Sequence, residues 1–185
     1  STGRRFGLSI NRWIDERRDP LLSTQAAMRY LKHLYGIFED WPLAMAAYNC
    51  GERRVQEAIN TAREKGLKPH FWNLHLHRET EHYVPSIMAQ AILYNQRERY
   101  RFAHLKTAKP MDETRVQLPV TFSLEEGSRR AKASFQGLLK LNSALYRGFP
   151  PMNEDHYTLY LPKTSNAVLL DSLKRNPQPE RTWDQ

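Results

Sequence analysis

Residues 41–55 read WPLAMAAYNCGERRV, and the reading of this stretch decides the fold. Leu43, Ala44, Ala46 and Ala47 make an apolar helical run thin enough to lie deep against its neighbours. Pro42 falls in the first turn, where the missing N–H had no partner, and Asp40 is placed to cap it. Tyr48 and Asn49 come at the end of the run, and Gly51 permits a break or a close backbone approach. An aromatic hydroxyl and a carboxamide delivered to a helix end are suited to flooring a sugar-binding groove. Each also has a plainer reading: Tyr48 as a core aromatic with a satisfied hydroxyl, and Asn49 as a turn residue closing the helix.

On either side the helical pattern continues. Asp19-Pro20 opens a helix with Ser23 or Thr24 as caps, and Ala27, Tyr30, Leu31, Leu34, Tyr35 and Phe38 recur at steps of three and four. After Gly51, Val55, Ala58, Ile59 and Ala62 form another stripe, which stops at Lys65-Gly66. A loop with Pro69, Phe71, Trp72 and Leu74 leads to a helix over 79–97. Its apolar side is expected to be Tyr83, Val84, Ile87, Met88, Ala91, Ile92 and Tyr94, and Pro85 requires regular helix to begin near that residue. Residues 1–20 show no sustained period and read as loop or short turns anchored by Phe6, Leu8, Ile10 and Trp13.

The pattern changes after residues 105–114, which read as a linker. Val116, Leu118, Val120 and Phe122 alternate as in a strand with one buried face. Ser123 with Glu126 makes a capping box for a helix through about Ala133. A second helix spans Phe135 to Leu141 and ends at Asn142. Beyond the turn at 148–151, Tyr157, Leu159 and Leu161 alternate again, with an extra helix from Ser165 to Leu173 and a disordered tail at 175–185. The expected fold class is mainly α: a helical lobe followed by a small α+β module in strand-helix-helix-strand order.

The 185 residues carry a formal charge of +8, with 40% hydrophobic and 26% charged residues. That balance suits one good core or one core plus a small second one, and it suggests an acidic partner. Nucleic acid, an anionic membrane surface and a carboxylate-bearing cell wall are all candidates by charge. The basic residues come as scattered pairs among acids, however, which argues against a phosphate-tracking stripe and so against nucleic acid. A single cysteine, Cys50, excludes an intrachain disulfide and a cysteine metal site and reads as a small core residue. The His75-x-His77 pair has no positioned acidic partner, so no metal or cofactor is expected. No run approaches the length of a membrane span. A chain that opens on Ser1 with no signal peptide is expected to be a mature product or a portion of a longer one.

The segments TGRRFGL and DERRDP, the helix LLSTQAAMRYLKHLY, the block WPLAMAAYNCGERRVQEAI and the motif ETEHYVP at 79–85 occur in an order and spacing that resembles a known family. It is the soluble-transglycosylase (lysozyme-like, glycoside hydrolase family 23) group of lytic transglycosylases, and within it the membrane-bound type D. The resemblance covers about the first hundred residues and implies a transglycosylase domain over 1–104. It implies cleavage of peptidoglycan between N-acetylmuramic acid and N-acetylglucosamine, with the muramic acid's own C6 hydroxyl as nucleophile. It also implies a place in the bacterial periplasm or cell envelope, with peptidoglycan glycan strands as the partner.

By the same resemblance Tyr48, Asn49, Gly51, Glu79 and Tyr83 line the glycan groove, with Glu79 and Tyr48 in supporting catalytic roles. Glu79 is expected to orient the muramic acid or polarise its neighbours, and Asn49 to hold the loop or the substrate. Taken without the resemblance, Glu79 is a helix N-terminal carboxylate favoured by the dipole. The family's acid/base glutamate sits in a Glu-Ser pair just before the threonine-glycine-arginine segment. No Glu-Ser pair occurs in these 185 residues, so the chain alone is expected not to cleave. A non-catalytic wall-binding or scaffold protein is the alternative. A helix missing from beside Tyr48 is expected to expose an apolar patch and favour self-association or a partner chain. Residues 115–174, with LLKLN at 138–142 and the closing YTLYLP strand, resemble a LysM module that binds N-acetylglucosamine chains.

Overall fold

The computed structural model describes residues 1–105, 113–119, 123–146, 148 and 156–175. The turn expected at 149–151, most of the linker, positions Val120 and Phe122, and the tail beyond 175 lie outside the described residues. The chain divides into two compact units, one of Ala27–Ala108 and one that joins Ser1–Ala26 to Lys109–Gln185. The structure is mainly α with a small α+β part, as the sequence leads one to expect.

The all-helical unit is built around α3 (Trp41–Cys50). Asp40 accepts the Leu43 N–H at 2.8 Å, which makes it the cap expected from the sequence. Leu43, Ala44, Ala46 and Ala47 are buried, with Ala44, Ala46 and Ala47 at 0% exposure. Small side chains let neighbouring backbones come close, and α2 (Pro20–Phe38), α4 (Glu52–Glu64) and α5 (Arg78–Asn95) supply Leu34, Val55, Ile59 and Val84 to the same core.

Three expectations need correction in these helices. Asp19, and not Ser23 or Thr24, caps α2, accepting the N–H groups of Leu21 and Leu22 at 2.8 and 2.9 Å. Ser23 and Thr24 instead donate back to the Pro20 carbonyl inside the first turn. Pro85 lies within α5 rather than at its start. The helix begins seven residues earlier because His77 Nδ1 accepts the Glu79 N–H at 3.3 Å and acidic Glu79 and Glu81 occupy the positive first turn. Ala91, Ile92 and Tyr94 are exposed, with Tyr94 at 72%. The reason is length: α5 packs on α3, and at about 1.5 Å per residue an 18-residue helix outruns a 10-residue one.

In the other unit β1 (Glu113–Pro119) pairs antiparallel with β2 (His156–Pro162), Val116 facing Leu159 and Leu118 facing Tyr157. Between the strands run α6 (Leu124–Ala131) and α7 (Phe135–Leu141), and α8 (Lys163–Arg175) follows β2. Leu118, Leu124, Leu138, Leu159, Leu161 and Leu169 form the core. Ser123 caps α6 through the Glu126 N–H at 3.1 Å, but the Glu126 carboxylate does not close the box. It pairs with Arg129 and Arg130 instead. The helix stops at Ala131 rather than Ala133 because Lys132 turns left-handed (φ 49°) and the Ala133 N–H reaches back to the Ser128 carbonyl.

The leading segment, which includes the short α1 (Thr2–Arg5), joins this core through Ile14, 2% exposed. Ile14 bridges to Leu145, the Asp15 N–H donates to the Ala144 carbonyl at 2.9 Å, and the Tyr146 N–H donates to the Trp13 carbonyl at 3.1 Å. Buried Asp15 accepts two hydrogen bonds from the Arg17 guanidinium, one from the Arg17 N–H at 3.1 Å and one, at 3.0 Å, from the Tyr146 hydroxyl. The Arg17 guanidinium holds the Asp15 carboxyl well below its ordinary 3.8, outweighing burial, and the Tyr146 hydroxyl adds to the effect. A carboxyl depressed in the folded state stabilises fully above its unfolded value and loses that contribution as pH falls below it. Asp15→Asn is therefore expected to melt below the wild type at pH 7. The gap should narrow as pH drops below about 4, as thermal denaturation at the two pH values would show.

Candidate functional site

Tyr48, Asn49, Glu79 and Tyr83 come together where the end of α3 meets the start of α5. Gly51 ends α3 with φ 95° and ψ 146°, a conformation that L side chains rarely adopt. A Cβ there would meet nothing within 4 Å, so the backbone angle and not space calls for glycine. The break therefore falls after Cys50 and leaves Tyr48 and Asn49 in the last turn of α3.

On α5, Glu79 and Tyr83 stand four residues apart on one face, and Thr80 and Val84 share the adjacent buried face. Thr80, 1% exposed, donates its hydroxyl to Asn49 Oδ1 at 2.7 Å. Asn49 Nδ2 in turn donates to Glu79 Oε1 at 3.1 Å. These partners fix which way the amide points, since its oxygen faces a hydroxyl donor and its nitrogen a carboxylate. One amide hydrogen of Asn49 remains for another acceptor, and Glu79 is exposed. Glu79 also sits in the first turn of α5, where the helix dipole favours its negative charge.

Tyr48 packs at the edge of the helical core, its ring centroid 5.4 Å from that of Tyr30 and tilted by 41°. Tyr83 is half-buried beside it, and burial first, then the neighbouring Tyr48, pushes its phenol above the usual value. Tyr83 therefore stays protonated at neutral pH and can donate a hydrogen bond. Cys50 is partly buried against the same core, in keeping with its small size. Two neighbours of the candidate site escape a reading by type and spacing. Thr80 lies inside the quoted ETEHYVP motif but carries no charge to mark it, and Tyr30 looks like one more apolar position on α2.

His77 spends its ring nitrogen on the α5 terminus. Among the described residues no group of three or more His, Cys, Asp or Glu side chains is placed to hold a metal ion. Among the same residues no helix is long and apolar enough to cross a membrane.

Residues 1–71 match the family described as Transglycosylase SLT domain, so the chain carries transglycosylase-type sequence through α4. Over 174 residues, 94% of its length, it is 36% identical to the membrane-bound lytic murein transglycosylase D of Escherichia coli (strain K12). The protein of the same description from Escherichia coli O6:H1 gives the same figures. A tributyltin chloride resistance protein of Alteromonas sp. (strain M-1) is 41% identical over 61 residues, 32% of this chain and 30% of that protein. The chain spans 38% of the length of the two Escherichia coli relatives. The resemblance to lytic transglycosylases of type D thus holds, and the similarity runs past the helical unit into the α+β part.

Proposed function

We propose that this chain supplies one wall of the glycan-cleaving groove of a peptidoglycan lytic transglycosylase of the cell envelope. The observation that carries this reading is the hydrogen-bonded chain from Thr80 through Asn49 to Glu79. It locks two sugar-binding side chains at a helix junction and leaves an amide hydrogen and a carboxylate oxygen for a ligand. An N-acetyl carbonyl suits the first, and a sugar hydroxyl suits the second.

In this reading the glycosidic bond between N-acetylmuramic acid and N-acetylglucosamine breaks without water. An acid protonates the leaving oxygen, the muramic acid C6 hydroxyl attacks its own C1, and the resulting base takes the hydroxyl proton. One glutamate serves both steps, because an intramolecular nucleophile already held near C1 needs no second carboxylate to activate water. Glu79 accepts a hydrogen bond from Asn49, which suits it to orienting the sugar. The acid/base role falls to the glutamate of a Glu-Ser pair, which these 185 residues do not contain. Residues 115–174 are assigned as a LysM-like module for N-acetylglucosamine chains, supported by the strand-helix-helix-strand order with antiparallel pairing.

Incubation with purified peptidoglycan tests the reading. The 185 residues are expected to co-sediment with the wall and to release no anhydromuropeptides. Robust release would overturn the assignment of the acid/base to another segment, and failure to co-sediment would overturn glycan binding.

A further inference from the structure

Trp41 and Tyr35 form a stacked pair at the opposite end of α3 from Tyr48. Their ring centroids are 4.4 Å apart with an interplanar angle of 26°. Both stay in solvent, Trp41 at 49% and Tyr35 at 37% exposure, although the all-helical core lies against the same helix. Water contact on that much aromatic surface is unfavourable unless something covers it.

Their position suggests what does. Trp41 is the first residue of α3 and Tyr48 the eighth. Seven residues turn a helix through about 700°, some 20° short of two full turns, and advance it by about 10.5 Å. Trp41 and Tyr48 therefore project from one side of α3, with partly buried Met45 between them. Buried Leu43, Ala44, Ala46 and Ala47 point elsewhere, and α2 lies along this side, setting Tyr35 against Trp41 and Tyr30 against Tyr48. The advance is comparable to the length of one β-1,4-linked disaccharide. A pyranose ring has an apolar C–H face that lies flat on an aromatic ring while its hydroxyl edges stay in water, and a ring backed by a second ring is held ready for that contact.

We propose that Trp41, braced by Tyr35, is a second sugar-stacking subsite, one disaccharide along the glycan strand from the Tyr48–Asn49 end. The proposal rests on the glycan-binding reading given above and extends it from a cleavage point to a rail along α3. It predicts that Trp41 adds to the affinity of the helical unit for long glycans and not for a disaccharide.

Calorimetric titration of the whole chain with N-acetylglucosamine disaccharide and hexasaccharide, fitted with a separate site for the LysM-like module, separates the two readings. Trp41→Ala is expected to weaken the hexasaccharide at least about fivefold and to leave the disaccharide unchanged, and Trp41→Phe should restore most of the loss. Trp41 is half exposed and Asp40 caps α3 independently of it, so a wild-type helical circular dichroism spectrum is expected for both variants. Equal hexasaccharide affinity in Trp41→Ala and wild type would overturn the subsite and leave the groove reading standing, provided Asn49→Ala still weakens both ligands. No binding of either ligand by the wild type would overturn both.

Discussion

Asn49→Ala is expected to lower glycan affinity by about tenfold or more and to cost about 1–3 kcal/mol of stability. The substitution removes the acceptor of a buried hydroxyl, Thr80 at 1% exposure, and the donor that holds Glu79 in place. Both effects come from the same amide, so affinity and melting temperature should fall together. Asn49→Asp separates charge from hydrogen bonding. It keeps an acceptor for Thr80 but sets a second carboxylate against Glu79, which raises the proton affinity of the pair. Repulsion is present while both are ionised and disappears as one is protonated, so this variant should regain stability as pH falls below neutral. Asn49→Ala should show no such recovery. Thermal melts at several pH values, beside a glycan sedimentation assay at neutral pH, distinguish the two. Equal pH dependence in both variants would refute the Asn49–Glu79 contact.

A comparably large loss is expected at Asn142, in the α+β unit. Its side chain is 1% exposed and stands in for a strand partner: Oδ1 accepts the Tyr160 N–H at 2.9 Å, and Nδ2 donates to the carbonyls of Tyr160 and Leu138, each at 2.9 Å. Leucine at this position would fill the space but leave the Tyr160 backbone groups without partners, at about 1–3 kcal/mol for each group stranded. Asn142→Leu should therefore destabilise by about 2–4 kcal/mol, read from a urea midpoint at unchanged slope. Asn142→Asp should cost more, because an anion replaces the donor facing two carbonyl oxygens. A loss below about 0.5 kcal/mol for the leucine variant would show that Tyr160 finds other partners.

Local chemistry explains what could be read without coordinates. Helical spacing places α2 to α5, Asp40 and Pro42 mark the start of α3, Gly51 marks its end, and Ser123 marks the start of α6. Each is a signal carried within four residues, the span over which a helix makes its own hydrogen bonds. Tyr48, Asn49, Glu79 and Tyr83 stand out as candidate site residues only because their motifs resemble a family in order and spacing. Where two signals competed nearby, the local reading went astray. Three candidate caps precede or enter α2, and only the packed structure shows Asp19 closing the helix while Ser23 and Thr24 bond inward. Likewise the periodicity of α5 continues to Tyr94, and only the length of α3 tells where burial stops.

By itself, then, the sequence determined the helical order, the small α+β part, the glycine joint behind Tyr48 and the kinship to lytic transglycosylases. Tertiary structure alone decided that Thr80 donates to Asn49 and Asn49 to Glu79, across some thirty residues. It alone placed Asp15 under the Tyr146 hydroxyl, 131 residues away, and set the Asn142 side chain against Tyr160. The physical reason is the same in each case. A helix or a cap is chosen by neighbours in the chain, whereas a polar side chain finds its partner only after apolar packing has fixed which backbones lie side by side.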